Sequence, residues 1–273
     1  MSSYEAILLE IEGEVATIQF NRPDKKNALS PTLHENMNDA LEEVSEARCK
    51  LLVVTGAGDA FCGGMDLEKC FLEPYDDPPR MAKINESVFS WMKRLKKFPA
   101  VTLAKVNGFC FGAGMEIAGI CDLCIAADES EWGLSEVNFG IFPGGGTTWA
   151  YAHNMPSRKQ ALYYALTGEP FDGKTAADLG WATRSVPRNE LDTVVAGIAK
   201  SITAKGRGVL AKTKEVYERS IFMDFETSID YETAKQMELS RETGDDWIRT
   251  ALTSFRKREF KPGHEAYKLT RDV

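Results

Sequence analysis

The stretch Val101-Thr102-Leu103-Ala104-Lys105-Val106-Asn107-Gly108-Phe109-Cys110-Phe111-Gly112-Ala113-Gly114-Met115-Glu116 decides the fold class. Its first six residues are a short, mostly apolar run, as expected of a strand buried on both faces. A glycine-rich segment follows and opens a helix, and residues 121–127 predict a further strand. The same cycle is visible upstream. Residues 51–55 form another apolar run, stopped by Gly56-Ala57-Gly58 and followed by the loop Phe61-Cys62-Gly63-Gly64-Met65-Asp66-Leu67. A helix with Ile84, Val88, Trp91, Met92 and Leu95 on one face then ends before Pro99. Short buried runs alternating with amphipathic helices predict α/β architecture with right-handed crossovers.

Outward from that core, residues 7–11 and 15–20 flank Glu12-Gly13 and read as an opening hairpin. Ser30-Pro31 predicts a helix start, with a capping hydroxyl and proline at the first helical position. Leu33, Met37, Ala40, Leu41 and Val44 give that helix one apolar face. The proline-rich segment 74–79 reads as a mobile surface loop. From about Ser157 onward the pattern is almost wholly helical, without a convincing long strand. A helical region therefore follows the α/β core.

Residues 106–127 carry only Glu116 and Asp122 as ionisable groups and approach membrane-spanning length. Gly108, Gly112, Gly114 and Gly119 break the stretch into short pieces, so it reads as buried core. The chain has 273 residues, 43% hydrophobic and 27% charged, ample for a sizeable core and outside the disordered and fibrous classes. Its net charge of −8 argues against an extended nucleic-acid surface. Six cysteines are too few for a disulfide framework at this length, which predicts free thiols in a reducing compartment. No basic region precedes an apolar stretch at the N-terminus, so no signal peptide is expected and the protein reads as cytoplasmic.

Three features could carry chemistry. The loops at Gly63-Gly64-Met65 and Gly112-Ala113-Gly114 each follow a strand, and small residues there let backbone N–H groups approach a ligand. Two such groups converging on one oxygen would make an oxyanion hole, although close helix-to-strand packing would also explain the glycines. The dinucleotide-binding glycine pattern is not met. Glu116 lies between Met115 and Ile117 in an apolar run, where an unpartnered charge is costly. Such a carboxyl has a raised pKa or serves a site. Twenty residues on, Glu136 sits among Leu134, Val137 and Phe139, and two glutamates facing one substrate could divide acid and base work. Cys121 and Cys124 lack a second pair, so no metal is expected there. His34, His153 and His264 are scattered, and no Ser–His–Asp arrangement is legible.

Together these pieces resemble the crotonase (enoyl-CoA hydratase/isomerase) superfamily. The resemblance is carried by Asn21-Arg22-Pro23, Asn27-Ala28-Leu29, Thr55-Gly56, Phe61 through Leu67, the 108–122 block, the 133–146 block and Leu166-Thr167-Gly168. It implies a crotonase-like core of repeated ββα units over residues 1–200 and a C-terminal helical region over 201–273. It also implies an acyl-CoA substrate, no cofactor beyond the coenzyme A of that substrate, and assembly as a homotrimer or dimer of trimers. By the same resemblance the backbone N–H groups of Met65 and Ala113 hold the thioester oxygen. Glu116 helps to activate water and Glu136 exchanges the proton at the α-carbon. Lys26, Ala28, Asp66 and Leu67 line the CoA nucleotide, and Phe255 and Arg258 reach the CoA of a neighbouring subunit.

Within the superfamily the local phrases are most similar to hydroxycinnamoyl-CoA (feruloyl-CoA) hydratase-lyases. Those enzymes hydrate a propenoyl double bond and then cleave the product to an aldehyde and acetyl-CoA. They have serine where this chain has Glu116, and phenol-contacting tyrosines where it has Cys70 and Thr233. The resemblance therefore implies an enoyl-CoA hydratase-type lyase, with aryl acyl chains plausible. Its alternatives are the hydratase-lyase itself and a Δ3,Δ2-enoyl-CoA isomerase. A non-enzymatic RNA-binding relative would use a basic helix, and the run at 93–97 is short for that role.

Overall fold

In the computed structural model the described residues are 2–263 and 266–267; Met1, His264, Glu265 and 268–273 lie outside them. A two-residue strand (β1, Ser2–Ser3) and the expected hairpin (β2, Ile7–Glu12; β3, Val15–Phe20) open the chain. Leu9 stands opposite Ile18 and Ile7 opposite Phe20, and all four are buried, so alternate residues feed one core. Helix α1 (Pro31–Glu46) starts as predicted. The Ser30 hydroxyl accepts from the Leu33 N–H at 3.2 Å, and Pro31 fills the first position.

Three strand pairs then repeat one plan. β4 (Leu51–Gly56) leads to β5 (Ala60–Cys62), β6 (Val101–Val106) to β7 (Phe109–Phe111), and β8 (Leu123–Ala127) to β9 (Glu131–Gly133). Helix α2 (Pro78–Lys96) separates the first two pairs, and α3 (Ala113–Ile120) the second and third. Two short strands come later, β10 (Phe171–Asp172) and β11 (Arg184–Val186). The long member of each pair joins a seven-stranded sheet, β1-β2-β3-β4-β6-β8-β11. The short members line up in a four-stranded sheet, β10-β9-β7-β5. Repeated strand–strand–helix units are thus what the sequence pattern builds.

Two expectations need correction, and one short strand goes unannounced by the sequence. The segment 74–79 is not all loop: α2 begins at Pro78, capped by Asp77, whose carboxylate accepts from the Arg80 N–H at 3.1 Å. Pro78 and Pro79 sit in the first turn, where a missing N–H costs nothing. Glu73 just ahead of them pairs with Lys69 and, at 2.8 Å, with Arg80. The strand expected over 121–127 starts only at Leu123. Cys121 ends α3, and the Asp122 carboxylate accepts from the Thr102 N–H at 2.8 Å. Finally, β11 runs parallel to β8 and completes the large sheet, although Arg184-Ser185-Val186 carries no apolar run that would announce it.

The described residues divide into two compact units, one of residues up to Phe98 with Thr102–Val195, the other of Pro99–Val101 with residues from Ala196 on. The first holds both sheets, α1 to α3, α4 (Thr147–Asn154), α5 (Arg158–Thr167) and α6 (Gly173–Asp178). Helix α7 (Leu191–Thr203) spans the division. The second holds α8 (Arg207–Ser220), α9 (Phe225–Thr243), α10 (Asp246–Arg249) and α11 (Ala251–Arg256). Within it, α8 and α9 are tied by Lys235–Glu215 at 2.7 Å and by Lys212–Glu238. No described helix is long and apolar enough to cross a membrane.

The α1–α2 interface holds a titratable group with a predictable effect. His34 is fully buried and its Nδ1 accepts from Trp91 Nε1–H at 3.1 Å. Its Nε2 has no partner among the described residues, and burial lowers its pKa from 6.5 to about 4. Above pH 6.5 the imidazole is neutral in folded and unfolded chains alike. As pH falls from 6.5 towards 4 only the unfolded chain takes the proton, so stability is lost progressively, by about 3 kcal/mol once below both values. His34→Gln keeps an acceptor for Trp91 and removes the titration. Thermal melting should show a flatter pH profile between 6.5 and 4 for that variant than for the parent.

Candidate active site

The two glycine loops meet because their strands are neighbours. β5 and β7 pair in parallel, with Cys62 beside Cys110, so the residues that follow each strand emerge side by side. A methyl group on Gly64 would lie 3.6 Å from the Ala113 nitrogen and 3.7 Å from the Gly112 Cα. The N–H groups of Met65 and Ala113 therefore lie on adjoining turns. None of the hydrogen bonds found among the described residues uses either group. Ala113 is the first residue of α3, where an N–H has no acceptor within the helix. Met65 is held by a bridge to Leu29: the Leu29 N–H donates to the Gly64 carbonyl at 2.8 Å, and the Asp66 N–H to the Leu29 carbonyl at 3.0 Å.

Glu136 comes to the same place by way of β9. That strand runs parallel to β7, and the Gly112 N–H donates to the Gly133 carbonyl at 3.0 Å. Glu136 opens a 3-10 turn three residues later, with its Oε1 3.1 Å from where a Cβ on Gly112 would stand. Gly112 has φ +52°, a conformation that suits glycine. The Glu136 Oε2 is buried without a hydrogen-bond partner among the described residues, and burial raises this carboxyl above its ordinary range.

Glu116 lies one turn into α3, 5% exposed. Burial first, then the charge of Glu136, pushes it up to about 7, against a hydrogen bond from the Thr147 hydroxyl at 3.3 Å. Burial thus disfavours ionisation of both carboxyls. Two buried glutamates beside two main-chain donors that no described residue engages are the equipment for adding a proton and a nucleophile across a polarised double bond. Gly145 and Gly146, whose φ is +142°, leave room for Glu116. A Cβ at Gly145 would be 3.4 Å from its Oε2, and one at Gly146 would collide with its Oε1.

The sequence profile of the enoyl-CoA hydratase/isomerase family matches residues 10–262. The chain belongs to that family. A hydroxycinnamoyl-CoA hydratase-lyase of Pseudomonas fluorescens is 38% identical, over 98% of this chain and 100% of its own length. A crotonyl-CoA hydratase of Syntrophomonas wolfei is 30% identical, over 84% and 88%. The solved enoyl-CoA hydratase of Bacillus anthracis superposes with a TM-score of 0.84 at 25% identity, covering 97% of this chain and 99% of its own. The fold is that of the crotonase superfamily.

In this enoyl-CoA hydratase/isomerase family member, Lys26, Ala28, Asp66, Leu67 and Cys70 surround the Met65 turn. The Lys26 ammonium is exposed and pairs with Asp59 at 2.8 Å, while its carbonyl accepts from the Gly63 N–H. The Ala28 carbonyl accepts from Arg22. Both Asp66 carboxylate oxygens are engaged, one by Arg22 at 2.9 Å and one by the Lys69 N–H at 3.1 Å. Leu67 is half exposed. The Cys70 thiol is buried, donates to the Leu29 carbonyl at 3.3 Å and is pushed up to about 12. Thr233 on α9, Phe255 on α11 and Arg258 just beyond it belong to the second unit, and all three are exposed. Sequence reasoning missed Thr147, Gly145, Gly146 and Arg22. The run Gly144-Gly145-Gly146-Thr147 was the available signal, since consecutive glycines after a proline mark a close approach.

Proposed function

We propose that the protein hydrates the double bond of an α,β-unsaturated acyl-CoA through an enolate held by the Met65 and Ala113 N–H groups. The family makes the chain an enzyme of the hydro-lyase type. The observation that carries the reading is the pair of buried carboxyls, with Glu136 set directly against the Gly112–Gly64 junction of the two donor loops. In the forward step the carboxylate form of Glu116 takes a proton from water as the water oxygen bonds to the β-carbon. The electron pair of the double bond moves towards the thioester oxygen, where the two N–H groups stabilise the charge. Protonation of the α-carbon by the other carboxyl completes the addition. Glu116 takes the water side and Glu136 the α-carbon side. No cofactor enters these steps beyond the coenzyme A of the substrate.

Phe89 favours an acyl group with a large apolar surface. The ring, on α2, would be 3.9 Å from a Cβ on Gly145, the residue that borders Glu116. The 38% identity to a hydroxycinnamoyl-CoA hydratase-lyase supports aryl-propenoyl substrates in particular, with cleavage as the second reading. Free cysteines at all six positions support a reducing, cytoplasmic setting. A trimer or paired trimers is the assembly that goes with CoA contacts by Phe255 and Arg258 across subunits. Mass spectrometry of products from crotonyl-, cinnamoyl- and feruloyl-CoA tests the proposal. A product heavier by one water is expected. An aromatic aldehyde with acetyl-CoA would establish the hydratase-lyase reading instead, and a shifted double bond at unchanged mass the isomerase.

A further inference from the structure

The Met65 turn is anchored by a residue to which none of these roles has been given. Arg22 is 20% exposed in its side chain and reaches two points of the neighbouring chain at once. Its Nη2 lies 2.9 Å from Asp66 Oδ2, and its Nη1 donates to the Ala28 carbonyl. Asp66 follows Met65, and Ala28 precedes Leu29, whose backbone brackets Met65 from the other side. The fork thus closes a ring: guanidinium, Asp66, the Leu29–Met65 bridge, Ala28. A planar guanidinium with parallel donors suits this double contact, and a single ammonium does not.

The Arg22 main chain is fixed in its turn. Its N–H donates to Asn27 Oδ1 at 2.9 Å, and Asn27 Nδ2 donates to the Ala57 and Ala60 carbonyls at 2.9 and 2.8 Å. Asn27 is fully buried, and Ala60 begins β5. The clamp is therefore referenced to the strand from which the donor loop emerges. Among the described residues no group accepts from the Met65 N–H itself, so its direction depends on its flanking residues.

We infer that Arg22 is a positioning residue of the oxyanion hole, acting through Asp66 and Ala28 to aim the Met65 N–H. The inference rests on the oxyanion reading given above. A donor that is mis-aimed rather than deleted loses part of its effect in the transition state, where its hydrogen bond is strongest.

The test combines kinetics with a spectroscopic probe. Bound 4-dimethylaminocinnamoyl-CoA absorbs further to the red when its thioester carbonyl accepts hydrogen bonds, so the shift reports donor alignment in the ground state. Arg22→Met and Asp66→Asn should each lower kcat for crotonyl-CoA hydration roughly 10- to 100-fold, with KM within about threefold of the parent. Both should reduce the red shift. The double variant should be little worse than either single one, because both break the same ring. Arg22→Lys should recover part of the loss by keeping the charge beside Asp66. Should Arg22→Met fail to fold, Asp66→Asn, nearly identical in shape, carries the test. A parent enzyme with no red shift would overturn the oxyanion reading and this inference together. A parental red shift and kcat preserved in Asp66→Asn and Arg22→Lys would overturn this inference alone.

Discussion

Replacing either Glu116 or Glu136 by glutamine should lower kcat for hydration by roughly 100- to 10,000-fold, about 3–5 kcal/mol of barrier, while leaving KM little changed. Hydration needs water activated at the β-carbon and a proton delivered at the α-carbon, so both carboxyls act in one transition state. Glutamine keeps the size and a hydrogen bond but cannot shuttle the proton. The double variant should be scarcely worse than the single ones, since the groups work as a unit. Stability should move the other way for Glu116→Gln. The carboxyl is raised from 4.5 to about 7 in the fold, so its ionised form is disfavoured there. That penalty begins above pH 4.5 and is complete above about 7, where it approaches roughly 3 kcal/mol. At pH 8 the glutamine variant should therefore melt higher than the parent while being nearly inactive. Steady-state kinetics beside a melting curve checks both halves. Near-parental hydration by Glu116→Gln together with a dead Glu136→Gln would point to a one-carboxylate enzyme, the isomerase or the hydratase-lyase.

A single methyl group at Gly112 should be almost as damaging. The residue has φ +52° and ψ −121°, so an alanine there would be strained. Its Cβ would also crowd Glu136 Oε1 at 3.1 Å, while the Gly64 Cα at 3.9 Å would be in ordinary contact. Two parts of the site are then displaced together: the Ala113 donor, which follows the strained residue, and the second carboxyl. Loss of one oxyanion donor typically costs 100- to 1,000-fold in kcat, and Gly112→Ala should reach that range. Binding of a saturated acyl-CoA, followed by calorimetry, should weaken far less than turnover. Equal loss of both would mean that the variant has disturbed the whole fold.

The features legible in the sequence were those fixed by local chemistry. Ser30-Pro31 announced α1, the Leu51 and Val101 runs announced their strands, and the apolar surroundings of Glu116 announced a perturbed carboxyl. What was hidden depends on partners distant in the chain. β11 is a strand because β8 offers it a free edge, not because Arg184-Ser185-Val186 prefers one. Arg22 reads as a solvated charge until Asp66, 44 residues away, is placed beside it. Cys70 drew attention by comparison with tyrosine-bearing relatives, yet its thiol is taken up by the Leu29 carbonyl, a contact that no spacing rule could supply.

The pairing of β5 with β7 has a consequence for how such a site can diverge. The two free N–H groups sit on main chain that leaves adjacent strands, so their separation is inherited from the inter-strand spacing of a sheet, about 4.8 Å. The donors themselves are main-chain groups, so no side chain has to be of one type to supply them. The proposed reacting groups are different. Glu116 and Glu136 are side chains borne on α3 and on the turn after β9, and each can be exchanged without moving either donor. On the proposed reading, a fixed electrophile holder beside exchangeable acids and bases would let one backbone serve several reactions of the same thioester.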